Sequence, residues 1–175
     1  MKNLIIAATA LTALFASTAA AAQDGTVTIN GTVAAKCVIA PSATITLGEM
    51  ADLNGVYNGV VDGKTATLTA WCNGVASTMT VASTAIKLVG GVTPVTGFVD
   101  TVNFTGTASV ASASGGGTVS ASDSTTAVPS AAATVGLFSN NITVALSASA
   151  SATATGKLIA GTYQGSVVVT LAPAA

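Results

Sequence analysis

The side chains that could act as acids, bases or nucleophiles are few and scattered. The chain contains no histidine, so the residue that most often serves as a general base or metal ligand is missing. Among the six carboxylates that follow residue 22, only Glu49 and Asp52 are near each other in sequence. No serine has an evident activating partner. We therefore predict that the protein is not an enzyme and uses no cofactor. The six carboxylates that follow residue 22 are Asp24, Glu49, Asp52, Asp62, Asp100 and Asp123.

Two cysteines, Cys37 and Cys72, are the remaining groups with chemistry of their own, and they lie 35 positions apart. In an exported chain such a pair predicts one disulfide. Closing a loop of this length contributes about 4 kcal/mol in the chain-entropy model. A metal site built from two cysteines and no histidine is the weaker interpretation.

Residues 1–22 have the pattern of an export signal. Lys2 provides the positive start, Leu4–Phe15 is a short apolar core, and Ala19–Ala22 supplies small residues for cleavage. We expect cleavage just before Ala22 or Gln23, which leaves about 153 residues. Because the chain has this signal and no later stretch is apolar enough to span a membrane, we expect the mature protein to be exported.

The charge of the chain argues against a nucleic-acid partner. Charged residues make up 6% of the sequence, and arginine is absent. After residue 22, four lysines accompany six carboxylates, a net charge of −2, whereas phosphate binding needs clustered basic side chains. The remaining length suits one domain with a core of its own, residues 37–175.

Alternation of apolar and polar residues predicts an all-β fold, a sandwich or a barrel. The turns between strands are indicated by Asn-Gly and Asp-Gly pairs within Asp52–Lys64. Residues 105–155 are mostly Ala, Ser, Thr and Gly, with scattered Val, Leu, Ile and Phe that favour closely packed strands whose bounds the pattern does not fix. The predicted strands elsewhere are Ala43–Leu47, Lys64–Cys72, Val75–Val81, Ile86–Val89, Phe98–Phe104 and Tyr163–Leu171.

The most regular alternation lies directly behind the signal, in Asp24–Cys37. Gly25, Val27, Ile29, Gly31 and Val33 share one parity, and Thr or Asn occupies the other. Because side chains alternate across a strand, this segment has one apolar and one polar edge. It is either the first strand of its own sheet or a strand offered to another molecule.

These features together resemble the major subunits of chaperone–usher fimbriae. The resemblance is carried by the run Gly25-Thr-Val-Thr-Ile-Asn-Gly-Thr-Val33 before Cys37, by a second cysteine that ends a later strand, and by the closing strand that contains Tyr163. The closing strand is also similar to the last strand of related secreted spore-coat-U-like domains. The resemblance covers the termini and the cysteine frame, and it does not extend to residues 85–140.

Membership would imply an immunoglobulin-like sandwich that lacks its final strand and is completed by donor-strand complementation. Residues 23–36 would be the donor strand, with Val27, Ile29, Gly31 and Val33 entering a neighbouring subunit. Tyr163, Val167, Val169 and Leu171 would line the acceptor groove. The implied partners are copies of the chain or related subunits, a periplasmic chaperone and an outer-membrane usher, in a fimbrium on the cell surface that supports adhesion.

Alternative interpretations remain open. The chain could be a self-complete secreted sandwich, such as a coat, surface-layer or minor adhesin protein. Trp71 has the parity opposite to Cys72 and could be a sugar platform or could pack against a loop or a neighbour. Asp52–Gly63 faintly resembles a calcium loop, but its spacing does not fit and turn formation explains its residues.

Overall fold

The computed structural model describes residues 25–113, 115–148 and 156–175. The predicted signal, residues 1–22, lies outside the described residues. The chain divides into two units, Met1–Thr32 and Val33–Ala175. Within the described part of the first unit, residues 25–32 form no strand and are exposed. Among the described residues no helix is long and apolar enough to cross a membrane.

The second unit is all-β, as predicted, and its described residues contain no helix. Its two larger sheets are antiparallel, and their apolar faces share one core, which gives a sandwich-like fold. One sheet has the strand order β1-β2-β9-β6-β7, and the other has the order β11-β3-β5 with β8 also paired to β3. A short parallel pair, β4 and β10, lies beside them. The strands are β1 (Cys37–Ile39), β2 (Thr65–Cys72), β3 (Thr78–Leu88), β4 (Phe98–Val99), β5 (Thr101–Val102), β6 (Phe104–Ala111), β7 (Thr118–Ser124), β8 (Ala133–Thr134), β9 (Phe138–Ala148), β10 (Lys157–Leu158) and β11 (Tyr163–Ala172).

On β2 and β11 the inward-facing residues follow the predicted alternation. The core also includes residues of β6, β7 and β9, whose bounds could not be predicted from the sequence. On β2, the even-numbered residues face inward and the threonines face solvent, and Trp71 is outward. Strands β6, β7 and β9 arise from the Ala- and Ser-rich region, and their inward positions carry the scattered large apolar residues. The largest fully buried side chains are Phe104, Met79, Ile142, Val61, Val102, Val110 and Val135.

Several of the predicted strands differ from the structure. Phe98–Phe104 is not one strand, because its residues are divided among β4, β5 and the first residue of β6. Ala43–Leu47 forms no strand, because β1 leaves β2 after the hydrogen bond from Ala40 N to Thr69 O (2.8 Å) and Pro41 has no N–H to continue the ladder. Val75–Val81 and Ile86–Val89 are not separate strands, since β3 runs through both regions.

A β-bulge explains why the inward parity of β3 changes along its length. The register with β11 shifts between Gln164 and Ser166, where Gly165 lies opposite two residues of β3. A Cβ atom at Gly165 would lie 2.8 Å from Ile86 Cγ1 and 2.9 Å from Thr84 O. Glycine is therefore required here by the close approach of the two backbones.

Candidate functional site

A groove of about 1080 Å³ opens on the side of the second unit where β11 forms the edge of its sheet. One wall is β11 with the residues that precede it, and the other is the irregular segment that follows β1. Core residues form the floor, so a molecule that entered would meet the apolar interior directly. The floor consists of Ala66, Leu68, Ile86, Phe104, Val144 and Leu146, and the walls consist of residues 39–51 and 158–169.

Strand β11 pairs with β3 along one side, and in the described part of the chain no strand pairs with its other side. An edge strand presents alternate N–H and C=O groups to whatever lies beyond it. Val167 and Val169 are half-buried, pack against the core and line the groove. This wall therefore combines apolar side chains with backbone groups that are free to pair.

The opposite wall also has unpaired backbone. Within the described residues, positions 41–48 make no backbone–backbone hydrogen bond. Ile45 and Leu47 are half-buried and pack against the core, which explains why their alternation resembled a strand. The groove is thus bounded by strand β11 and by an irregular segment, and the two do not pair with each other.

Tyr163 lines the groove and is held by a hydrogen bond of its hydroxyl. The hydroxyl donates to Ile159 O at 2.8 Å, and the ring packs against the core. Burial raises the pKa of the Tyr163 hydroxyl above its ordinary value, and the charge of Asp100 adds to the rise. The hydroxyl therefore stays protonated and remains a hydrogen-bond donor at neutral pH.

Of the four residues that the resemblance assigned to an acceptor groove, Tyr163, Val167 and Val169 line the groove described here, and their role in accepting a strand stays a prediction. Leu171 packs against the core opposite Met79 in the β11–β3 ladder and is not part of the groove wall. The sequence did not identify the second wall, because its contribution depends on the position at which β1 leaves its sheet.

We call residues 25–33 the arm. Val27, Ile29 and Val33 are 85%, 92% and 88% exposed, and a Cβ atom at Gly31 would meet nothing within 4 Å. The arm forms no strand in the described chain, so the alternative of a first strand paired within its own sheet is not what the described residues adopt. Exposed β-branched side chains in this pattern can gain apolar burial only by contacting something else.

The chain is fixed immediately after the arm, at a root formed by residues 34–37. The predicted disulfide is present between Cys37 and Cys72. Asn73 adds a hydrogen bond from its side chain to Ala34 O (3.1 Å), and it accepts a bond from Lys36 N at 2.5 Å. No local sequence pattern indicates these bonds, because the partners of Asn73 lie more than 35 positions away.

The structure also bears on the interpretation of Asp52–Gly63 as a set of turns or as a calcium loop. The carboxylate of Asp52 accepts hydrogen bonds from Val56 N and Asn54 N, both at 2.8 Å, and the bond from Val56 is the main reason that the Asp52 pKa is lowered. These bonds are those of a turn, as predicted, and Gly55 and Gly59 follow with positive φ. Among the described residues, no three His, Cys, Asp or Glu side chains form a group that could hold a metal ion.

Known proteins give no further guide to this site. A scan against protein-family models, a search of the curated proteins and a search of the solved structures each find no match to the chain. The groove, the arm and the root are therefore interpreted from their physical properties.

Proposed function

We propose that this protein is a structural subunit of a cell-surface fimbria, which polymerises when the arm of one copy enters the groove of the next. The observation that carries the proposal is a single chain with both an apolar groove beside an unpaired strand edge and an exposed, alternating apolar segment. Strand addition to a sheet edge uses both features, since main-chain hydrogen bonds supply affinity and alternate side chains occupy pockets.

The two parts match in length. The apolar run of the arm, Val27–Val33, has seven residues, and the part of β11 that lines the groove, Tyr163–Val169, also has seven. At about 3.3 Å per residue, each spans roughly 20 Å. A strand of this length laid beside β11 would bring the arm's apolar residues over the floor of the groove.

The burial that this insertion offers is large enough to drive association. Each aliphatic side chain of the arm contributes about 1.5–3 kcal/mol when it is fully removed from water. Val27, Ile29 and Val33 together therefore supply roughly 5–9 kcal/mol, before the backbone hydrogen bonds are added and the cost of ordering the arm is subtracted. The groove is expected to be shallow where it meets Gly31, which has no side chain.

Because donor and acceptor are different surfaces of one chain, the contact between copies is head-to-tail, and it builds a filament when each arm enters the next copy without closing a ring. In this proposal the second unit is an immunoglobulin-like sandwich that lacks its last strand. An open apolar groove is prone to aggregation, which gives a reason for a periplasmic chaperone to cover it and for an outer-membrane usher to accept the subunit at the cell surface.

The proposal is tested by transferring the donor sequence within one chain. Residues 24–35 are removed from the N-terminus and appended behind Ala175 through a flexible linker, and the same linker with a scrambled arm is the control. We expect the transferred arm to fill its own groove and give a monomer with a higher melting temperature, while the wild-type chain assembles. A wild-type chain that is already a stable monomer and gains nothing from the transferred arm would favour the self-complete secreted sandwich instead.

A further inference from the structure

A chain that carries both a donor arm and an acceptor groove can in principle fill its own groove and end as a closed monomer. We infer that Asn73 is a positioning residue that opposes this outcome and thereby favours insertion into a second copy. The inference rests on the proposed function, because it concerns the partner that the arm selects. It is carried by the hydrogen bonds at the root of the arm.

The side chain of Asn73 continues the ladder between β1 and β2 beyond the point where the main chain of β2 turns away. The last strand pair is Cys37 with Cys72, and Asn73 N then donates to Lys36 O at 3.0 Å. Next, Asn73 Oδ1 accepts from Lys36 N at 2.5 Å and Asn73 Nδ2 donates to Ala34 O at 3.1 Å. The amide thus takes the place of a further strand residue and holds the root as a continuation of β1.

The main chain cannot supply these bonds itself, because it must turn at Gly74. A Cβ atom at Gly74 would lie 2.1 Å from Ala174 O, and Ala174 O accepts a hydrogen bond from Ala76 N at 3.3 Å. Strand β2 therefore ends at Cys72 to make room for the C-terminal residues. Asn73 is the last side chain placed to reach the root.

An arm that filled the groove of its own chain would require the chain to reverse direction within the root, whose backbone is hydrogen-bonded to Asn73. The groove lies beside residues 39–51, which follow the root in the chain. For all of Val27–Val33 to lie in that groove, the chain must double back after Val33 and before Cys37. Such a reversal would break the bonds of Asn73 to Ala34 and Lys36, whereas an arm that enters another copy leaves them intact.

The test compares the mature wild-type chain with Asn73→Ala after dilution from urea with the disulfide intact. Size-exclusion chromatography with light scattering gives the monomer-to-polymer ratio, and a labelled peptide of residues 24–36 reports whether the grooves of the monomers are open. Asn140→Ala is the matched control, since Asn140 also donates from its side chain to a backbone oxygen, that of Ala111, at 3.5 Å.

We expect Asn73→Ala to raise the monomer-to-polymer ratio about tenfold, which corresponds to about 1.4 kcal/mol, and its monomers to refuse the peptide at every dilution. Asn73→Asp keeps the acceptor for Lys36 N and loses the donor to Ala34 O, so its ratio should be intermediate; it also serves if the alanine variant does not fold. A ratio equal to that of the wild type, or extra monomers that bind the peptide, would overturn the role of Asn73 while leaving the proposed function intact. A wild-type chain that neither assembles nor binds the peptide would overturn the proposed function itself.

Discussion

Replacing Ile29 with alanine should weaken assembly without weakening the folded domain. Ile29 is 92% exposed in the free chain, so its side chain contributes nothing to the core that the substitution could remove. In the assembled state it would be buried in the groove of a neighbour, where an isoleucine contributes about 1.5–3 kcal/mol. At 1.4 kcal/mol for each factor of ten, the loss corresponds to a roughly 10- to 100-fold weaker subunit contact.

The contact is measured most simply with isolated arm peptides. A wild-type peptide of residues 24–36 and its Ile29→Ala form are titrated into a chain from which residues 23–33, which include the arm, have been deleted. Thr28→Ala is the matched control, because Thr28 is also exposed but lies on the opposite edge of the alternating segment. The Ile29→Ala peptide should bind 10- to 100-fold more weakly than either the wild-type or the Thr28→Ala peptide.

The full-length chain should behave in the same order. Ile29→Asp places a charge among apolar side chains and should abolish polymers, whereas its thermal melt should match that of the wild-type domain. Equal peptide affinities for Ile29→Ala and wild type, or wild-type polymer yield from Ile29→Asp, would refute the role assigned to this edge of the arm. A lower melting temperature in the free Ile29→Asp domain would show that the residue is part of the fold instead.

Three further predictions concern the stability of the domain, measured by urea unfolding. Asp123 is buried, its Oδ2 accepts a hydrogen bond from Ser83 N at 2.6 Å, and its Oδ1 has no partner among the described atoms. Asp123→Ala would leave Ser83 N without an acceptor and should lower the free energy of unfolding by about 1–3 kcal/mol. Asp123→Asn should lower it clearly less. Gly106→Ala should cost about 1–3 kcal/mol, because the new Cβ would lie 2.7 Å from Ser83 Oγ, and no change would contradict the packing described for the two sheets. Because the pKa of Tyr163 is raised, this residue contributes stability that is present below its ordinary pKa of 10.0 and is lost as pH rises through the raised pKa. The stability of Tyr163→Phe should therefore be less sensitive to alkaline pH than that of the wild type. Equal sensitivity of the two proteins would contradict this.

The sequence predicted those strands in which apolar and polar residues contrast strongly. On β2, apolar residues alternate regularly with threonine, and on β11 Val167, Val169 and Leu171 share one parity, so the inward faces of both strands could be assigned directly. Strands β6, β7 and β9 lie where small residues dominate and hydropathy contrast is weak, so the sequence could not place their ends. Ala43–Leu47 alternates as a strand does, but strand formation also needs a partner, and Pro41 ends the available ladder.

The candidate site was predictable only in part, for the same reason. The arm and one groove wall are contiguous segments with their own alternation, so Val27, Ile29, Val167 and Val169 could be named from the sequence. The second wall, the hydrogen bonds of Asn73 and the burial of Asp123 depend on contacts between distant parts of the chain. No local pattern indicates such contacts.

Mixing two chains, each able to form only one half of the contact, decides whether an arm from one copy fills the groove of another. One variant lacks residues 23–33 and has an open groove, and the other keeps its arm but carries a second arm sequence behind Ala175 that fills its own groove. Neither variant alone should form filaments, and an equimolar mixture should form one-to-one dimers that do not extend, as measured by light scattering. A mixture that stays monomeric, or an arm-less variant that polymerises alone, would contradict the claim.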